Sequence, residues 1–110
     1  MNITYTDPSR MFRITDVERL DPVTVIVQDH EPGKCTLIVQ CFNQAWTAYW
    51  GAMGGTLAEF LKRVDDGYVA DNLIRGHAGD MTRKAEELQR KYVTKIAAAI
   101  RQAAAAGALS

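Results

Sequence analysis

The stretch VTVIVQDHEPGKCTLIVQCF, residues 23–42, decides the fold. Residues 23–28, VTVIVQ, and residues 35–42, CTLIVQCF, are two β-branched, apolar runs of strand length. Between them DHEPGK sets Pro32 and Gly33 side by side. Pro fixes φ at the second position of a type II turn and Gly accepts the positive φ of the third, so the segment predicts an antiparallel hairpin. Side chains alternate along a strand, which puts Cys35, Leu37, Val39 and Cys41 on one face and Thr36, Ile38, Gln40 and Phe42 on the other. The first face is the more uniformly apolar and requires a covering layer.

Working outward, residues 11–17 carry Phe12 and Ile14 in alternation and predict an edge strand. AWTAYW, residues 45–50, either prolongs the second strand of the hairpin or starts a further one after a bend at Asn43 and Gln44. The sheet then has three or four strands. Gly51, Gly54 and Gly55 end it, and Thr56 with Glu59 three positions on forms a capping box for a helix. Leu57, Phe60, Leu61 and Val64 are its buried stripe. Asp65, Asp66 and Gly67 interrupt it, and Tyr68, Val69, Leu73 and Ile74 suggest a second short helix that Gly76 and Gly79 break.

From an N-cap at Asp80 a long helix is expected to run to about Ala106, with Met81, Ala85, Leu88, Tyr92, Ile96, Ala99 and Ala103 as its apolar stripe. At ~1.5 Å per residue its length is about 39 Å, more than a small sheet covers. The uncovered part would expose Ile96 and Ile100, which predicts a homodimer joined through Leu88, Tyr92, Ile96 and Ile100, the alternative being a monomer whose alanine-rich tail frays. Strands followed by helices make the fold class α+β, a small three- to four-stranded antiparallel sheet followed by helices with a long C-terminal helix. Residues 1–79 form the core and 80–110 the helix, both within one domain.

The chain of 110 residues has 47% hydrophobic and 24% charged residues, which fits one ordinary globular core. Thirteen basic and thirteen acidic residues cancel, so no whole-chain positive field draws in nucleic acid. No apolar run reaches a membrane span's ~20 residues, and MNITYTDPSR lacks the order of a secretory signal, so no membrane contact and a cytoplasmic location are expected. Cys35 and Cys41, six apart on one strand, stand roughly 20 Å from each other, too far for a disulfide.

Neither a metal nor another cofactor is expected, because His30, His77, Cys35 and Cys41 lack the paired spacing of a zinc site. There is no phosphate loop and no dinucleotide fingerprint. Asp65, Asp66 and Asp71 read as a solvated helix end rather than a converging carboxylate pair. No catalytic residues emerge, and the chain is expected not to be an enzyme. Two surfaces remain. Trp46, Tyr49, Trp50 and Met53 beside the glycines form either an aromatic platform for a partner or, the more favoured reading, an anchor of the helices on the sheet. Alternatively Lys84, Lys91, Lys95 and Arg101, on a segment 80–110 whose six basic and three acidic residues leave +3, could follow the phosphates of nucleic acid.

The segments TDPSRM, LDPVTVIVQDHEPGK, CFNQAWTAYWGAMGG and EFLKRVDDGYVADNL resemble small proteins of uncharacterised function encoded by lambdoid phages and prophages of enteric bacteria. The resemblance covers residues 1–75. It implies a phage accessory protein that acts by binding a host or defence protein, and carries no catalytic residues with it.

Overall fold

The computed structural model describes residues 1–5, 10–76 and 82–109. Four strands, β1 (Arg10–Ile14), β2 (Val23–Glu31), β3 (Lys34–Cys41) and β4 (Gln44–Trp50), are followed by α1 (Leu57–Arg63), α2 (Asp66–Arg75) and α3 (Arg83–Ala105). The strands form one antiparallel sheet in the order β1-β2-β3-β4. This is the expected α+β class, with AWTAYW forming a fourth strand. The boundary between 79 and 80 lies outside the described residues, as do the N-cap expected at Asp80, the expected break at Gly79, Met81, His77 and most of TDPSRM. No described helix is long and apolar enough to cross a membrane.

The β2–β3 hairpin turns at Pro32 and Gly33, with Gly33 at the positive φ of 82° that the turn requires. A register shift between Asp29 and Glu31 puts a bulge at its tip. The β3–β4 hairpin turns on Phe42 and Asn43, so Cys41 pairs with Gln44 and Val39 with Trp46. Val25, Leu37, Val39, Trp46 and Ala48 therefore share the face that the helices cover. Thr24, Ile26, Thr36, Ile38, Thr47 and Tyr49 share the open one.

Thr56 and Glu59 close the capping box of α1, Thr56 N donating to Glu59 Oε1 at 3.1 Å and Glu59 N to Thr56 Oγ1 at 3.2 Å. Those bonds from Thr56, backbone first, hold the Glu59 carboxyl below its ordinary pKa. Asp65 caps α2, accepting from Tyr68 N at 2.8 Å. Thr82 caps α3 by accepting from Ala85 N.

The face that α3 buries overlaps the expected stripe only in part. Val93, Ile96, Ala97, Ala99, Ile100 and Ala104 are buried, of which Ile96 and Ala99 belong to that stripe, while Leu88 is 64% exposed. At ~100° per residue, the buried face is turned by about a quarter turn from the stripe through Leu88. Nor does the helix overhang the body. Its 23 residues span ~35 Å within a molecule of 40 × 39 × 26 Å, because α1 and α2 extend the surface that the sheet alone would offer. Ile96 and Ile100, expected at a dimer interface, are fully buried in the chain's own core, and Tyr92 is half-buried against Trp46. Only Leu88 of that set stands out in water.

The tail is held as well. Ala108 N donates to Ala103 O and Gly107 N to Ala104 O, with Gly107 at φ 96°, a Schellman closure of α3. Leu109 then folds back into the core at 6% exposure.

Candidate functional site

The turns that build the sheet also bring the tip of the β2–β3 hairpin against the loop 51–56. Met53 N donates to Gly33 O at 3.0 Å, and the carbonyl of Met53 accepts from the Arg63 guanidinium. Between these segments lies an open groove of about 810 Å³, lined among others by His30, Gly33, Lys34, Gly51, Gly54 and Glu59. Gly54 needs its glycine for a φ of 73°, and a Cβ there would meet nothing, so backbone rather than side chain is presented to the groove.

Charged groups along the groove are largely committed. Arg10 holds Asp29 with two bonds, Nε to Oδ2 at 2.9 Å and Nη2 to Oδ1 at 3.0 Å, and donates through Nη1 to Leu109 O at 3.0 Å. Lys34 Nζ pairs with Glu31 at 3.1 Å. At the rim His30 Nε2 hydrogen-bonds Thr36 Oγ1 at 2.8 Å, and its ring stacks on Tyr49 with centroids 6.0 Å apart. Tyr49 is 54% exposed. The groove thus continues through His30 onto the open face of the sheet, where Met11 is also exposed and Ile26 and Ile38 are half-buried.

Of the four residues expected to receive a partner, only Tyr49 has its side chain in water. Trp46, Trp50 and Met53 are buried, because the two-residue β3–β4 turn puts both indoles on the covered face. Trp46 meets Tyr92 and donates to Gln89 Oε1 at 3.4 Å, while Trp50 packs on Phe60. They anchor the helices to the sheet, and the groove beneath the glycine loop is what the aromatic reading lacked. Gly33 and Lys34 at its edge were visible only as turn residues, and His30 only as a turn residue and a metal ligand without a paired partner.

The thiols are placed for packing. Cys35 Sγ contacts Met53 Sδ at 3.8 Å, and burial, reinforced by Asp29 and opposed by Arg10, pushes its pKa up to about 11. Cys41 Sγ lies 3.0 Å from Tyr92 Oη, and burial followed by that contact raises the phenol's pKa. Both cysteines are free. Among the described residues, no three His, Cys, Asp or Glu side chains are grouped to hold a metal ion. The acidic patch is divided up: Asp65 caps α2, Asp66 pairs with Arg101 at 2.8 Å, and Asp71 pairs with Arg90.

The basic flank separates in the same way. Lys84, Lys91 and Lys95 are exposed on one face of α3 and form no ion pair with a described residue. Arg101 lies off that face and is engaged, donating to Leu61 O and Asp66 Oδ1 at 2.8 Å each. It ties α3 to α1 and α2 and is not available to a phosphate.

A model described as a phage family matches residues 1–109. The match runs through α3 and so extends past the residues 1–75 that carried the resemblance. No curated protein and no solved structure matches the chain.

Proposed function

The chain belongs to this phage family, and from that premise we propose that it is a non-enzymatic accessory protein that binds a host or defence protein at the groove of the hairpin end. In this reading it works in the host cytoplasm, and its setting is the lambdoid phages and prophages of enteric bacteria. The groove carries the proposal. It combines about 810 Å³ of open space, bare glycine backbone, and an exposed aromatic, Tyr49, steadied by His30 at its rim. Exposed backbone lets an extended partner segment come close, and a rigid Tyr supplies contact area at low entropic cost. The non-enzymatic part rests on the employment of the acidic and thiol groups. Asp29, Asp65, Asp66 and Asp71 hold structural bonds, and burial keeps the Cys35 thiol protonated.

Affinity capture from host lysate tests this with Tyr49→Ala and His30→Ala beside the wild-type chain. A specific protein retained by the wild type and lost from both variants, each folded by circular dichroism, is the expected result. Retention by all three, or by none, refutes the groove as the binding surface.

Lys84, Lys91 and Lys95, which form no ion pair with a described residue, favour a second reading, nucleic-acid binding along α3. Three phosphate contacts would make affinity fall steeply with salt. Mobility shifts at low salt that vanish on joint replacement of the three lysines by Gln support it, and shifts that persist refute it.

A further inference from the structure

The two edges of the sheet are treated differently. On the β4 side, Gly76 at the end of α2 sits so close to Thr47 that a Cβ would lie 1.9 Å from the Thr47 carbonyl oxygen. On the other side β1 ends the strand order, and its outward backbone groups bond to no other described residue. The core behind β1 is also thinner, with Phe12 and Ile14 half-buried where Val23, Val25 and Val27 are wholly buried. An edge of this kind is a template for a further strand.

The same chain carries a segment of matching form. In residues 1–5, MNITY, the apolar Met1, Ile3 and Tyr5 alternate with polar Asn2 and Thr4, the pattern of a strand that buries one face. All three apolar side chains are in water, Ile3 at 71% and Tyr5 at 92% exposure. The segment carries no charged side chain to oppose docking, and its five residues equal the length of β1.

We propose that residues 1–5 of one copy add as an antiparallel fifth strand to the β1 edge of a second copy, and that the second copy returns its own segment to the first. Antiparallel alignment of Ile3 with Phe12 places Met1 beside Ile14 and Tyr5 beside Arg10, so all three apolar side chains join the covered face. Thr4 then stands opposite Met11 on the open face. The occupant is a second copy because, among the described residues of the single chain, this segment pairs with no strand and no strand pairs with the outer side of β1. A reciprocal exchange also closes on itself with two-fold symmetry and leaves neither β1 edge bare. It borders the groove at Arg10 without using His30, Tyr49 or the glycine loop, and it does not use the helix face around Leu88.

Sedimentation of the full chain at micromolar concentration is the first arm of the test. The expected species has twice the 12.2 kDa chain mass. Ile3→Lys with Tyr5→Lys is expected to weaken association at least tenfold, while Leu88→Lys leaves it unchanged. The paired variant Thr4→Cys and Met11→Cys, oxidised, gives the second arm and should form a disulfide between chains. A monomeric wild type, a dimer indifferent to the Ile3 and Tyr5 changes, or a disulfide formed only within one chain would overturn the exchange. Because residues 1–5 lie outside the chain's own core, the Ile3 and Tyr5 variant should keep the helical circular dichroism and the cooperative unfolding of the wild type.

Discussion

Gly76→Ala sets two effects of known sign against each other. Gly76 has φ −78° and ψ −7°, a backbone that alanine adopts without strain, and on that ground alone the substitution stabilises by about 0.4–1 kcal/mol through the unfolded chain. Space gives the opposite answer. The new Cβ would lie 1.9 Å from Thr47 O and 2.9 Å from Thr47 C. Reaching an ordinary close C···O distance of ~3.3 Å requires roughly 1.4 Å of movement. The atoms that must give way are backbone of β4, which is paired to β3 along its whole length. Overpacking of this kind costs ~1–3 kcal/mol, and a backbone obstacle belongs in the upper part of that range. The net expectation is a loss of about 1–2 kcal/mol, or roughly 5–15 °C in Tm for a domain of this size. Thermal and urea unfolding measure it. Gly67→Ala is the internal control: Gly67 lies in the first turn of α2, and its added Cβ would meet only Asp65 Oδ1 at 3.5 Å. That variant should gain about 0.4–1 kcal/mol. A Gly76→Ala protein as stable as the wild type would refute the close approach of α2 to β4.

Cys35 should resist alkylation at pH 8 in the folded chain and react only on unfolding, since its pKa stands near 11 against 9.0 for a free thiol. Between those two values the unfolded chain loses the proton that the folded one keeps, so stability should fall as pH rises from 9 toward 11, read by urea midpoints at each pH and compared with Cys35→Ala. Arg101→Gln should cost about 1–2 kcal/mol by urea unfolding, because a charge-assisted bond to Leu61 O and a pair with Asp66 are lost, the latter discounted for partial exposure; Lys91→Gln should be neutral. Leu109→Ala should cost ~2–3 kcal/mol, and the Ala108 amide should be protected from hydrogen exchange; a fast-exchanging amide with no loss of stability would mean a frayed tail.

The hairpin was legible because Pro32 and Gly33 punctuate two alternating apolar runs, and each signal is local. Capping was legible for the same reason at Thr56 and Glu59. What the sequence did not show was tertiary. Gly76 reads as a helix breaker, yet its φ is ordinary and its necessity is the carbonyl of Thr47, 29 positions earlier. On α3, Leu88 is among the largest apolar side chains and draws the expected stripe toward itself. The buried face keeps Ile96 and Ala99 of that stripe but turns toward Val93 and Ile100, among alanines small enough for α1 and α2 to come close. Periodicity establishes that a helix has an apolar face, and in an alanine-rich helix it locates that face poorly.

The tryptophans turn on a finer point. Alternation places Trp46 and Trp50 together on one side of β4, but it says nothing about which side, because that depends on how many residues separate β4 from β3. With Phe42 and Asn43 as the turn, Trp46 falls opposite Val39 and joins the core. One residue more or less would put Tyr49 in the core and both indoles in water. Phe42 adopts φ 58° to make this turn, a conformation uncommon outside glycine, and it remains 71% exposed at the tip. The backbone cost at Phe42 is thus offset by the burial of two indoles. The surface proposed for a partner is left to Tyr49 and to the backbone of the glycine loop, residues whose contribution no hydrophobic pattern ranks.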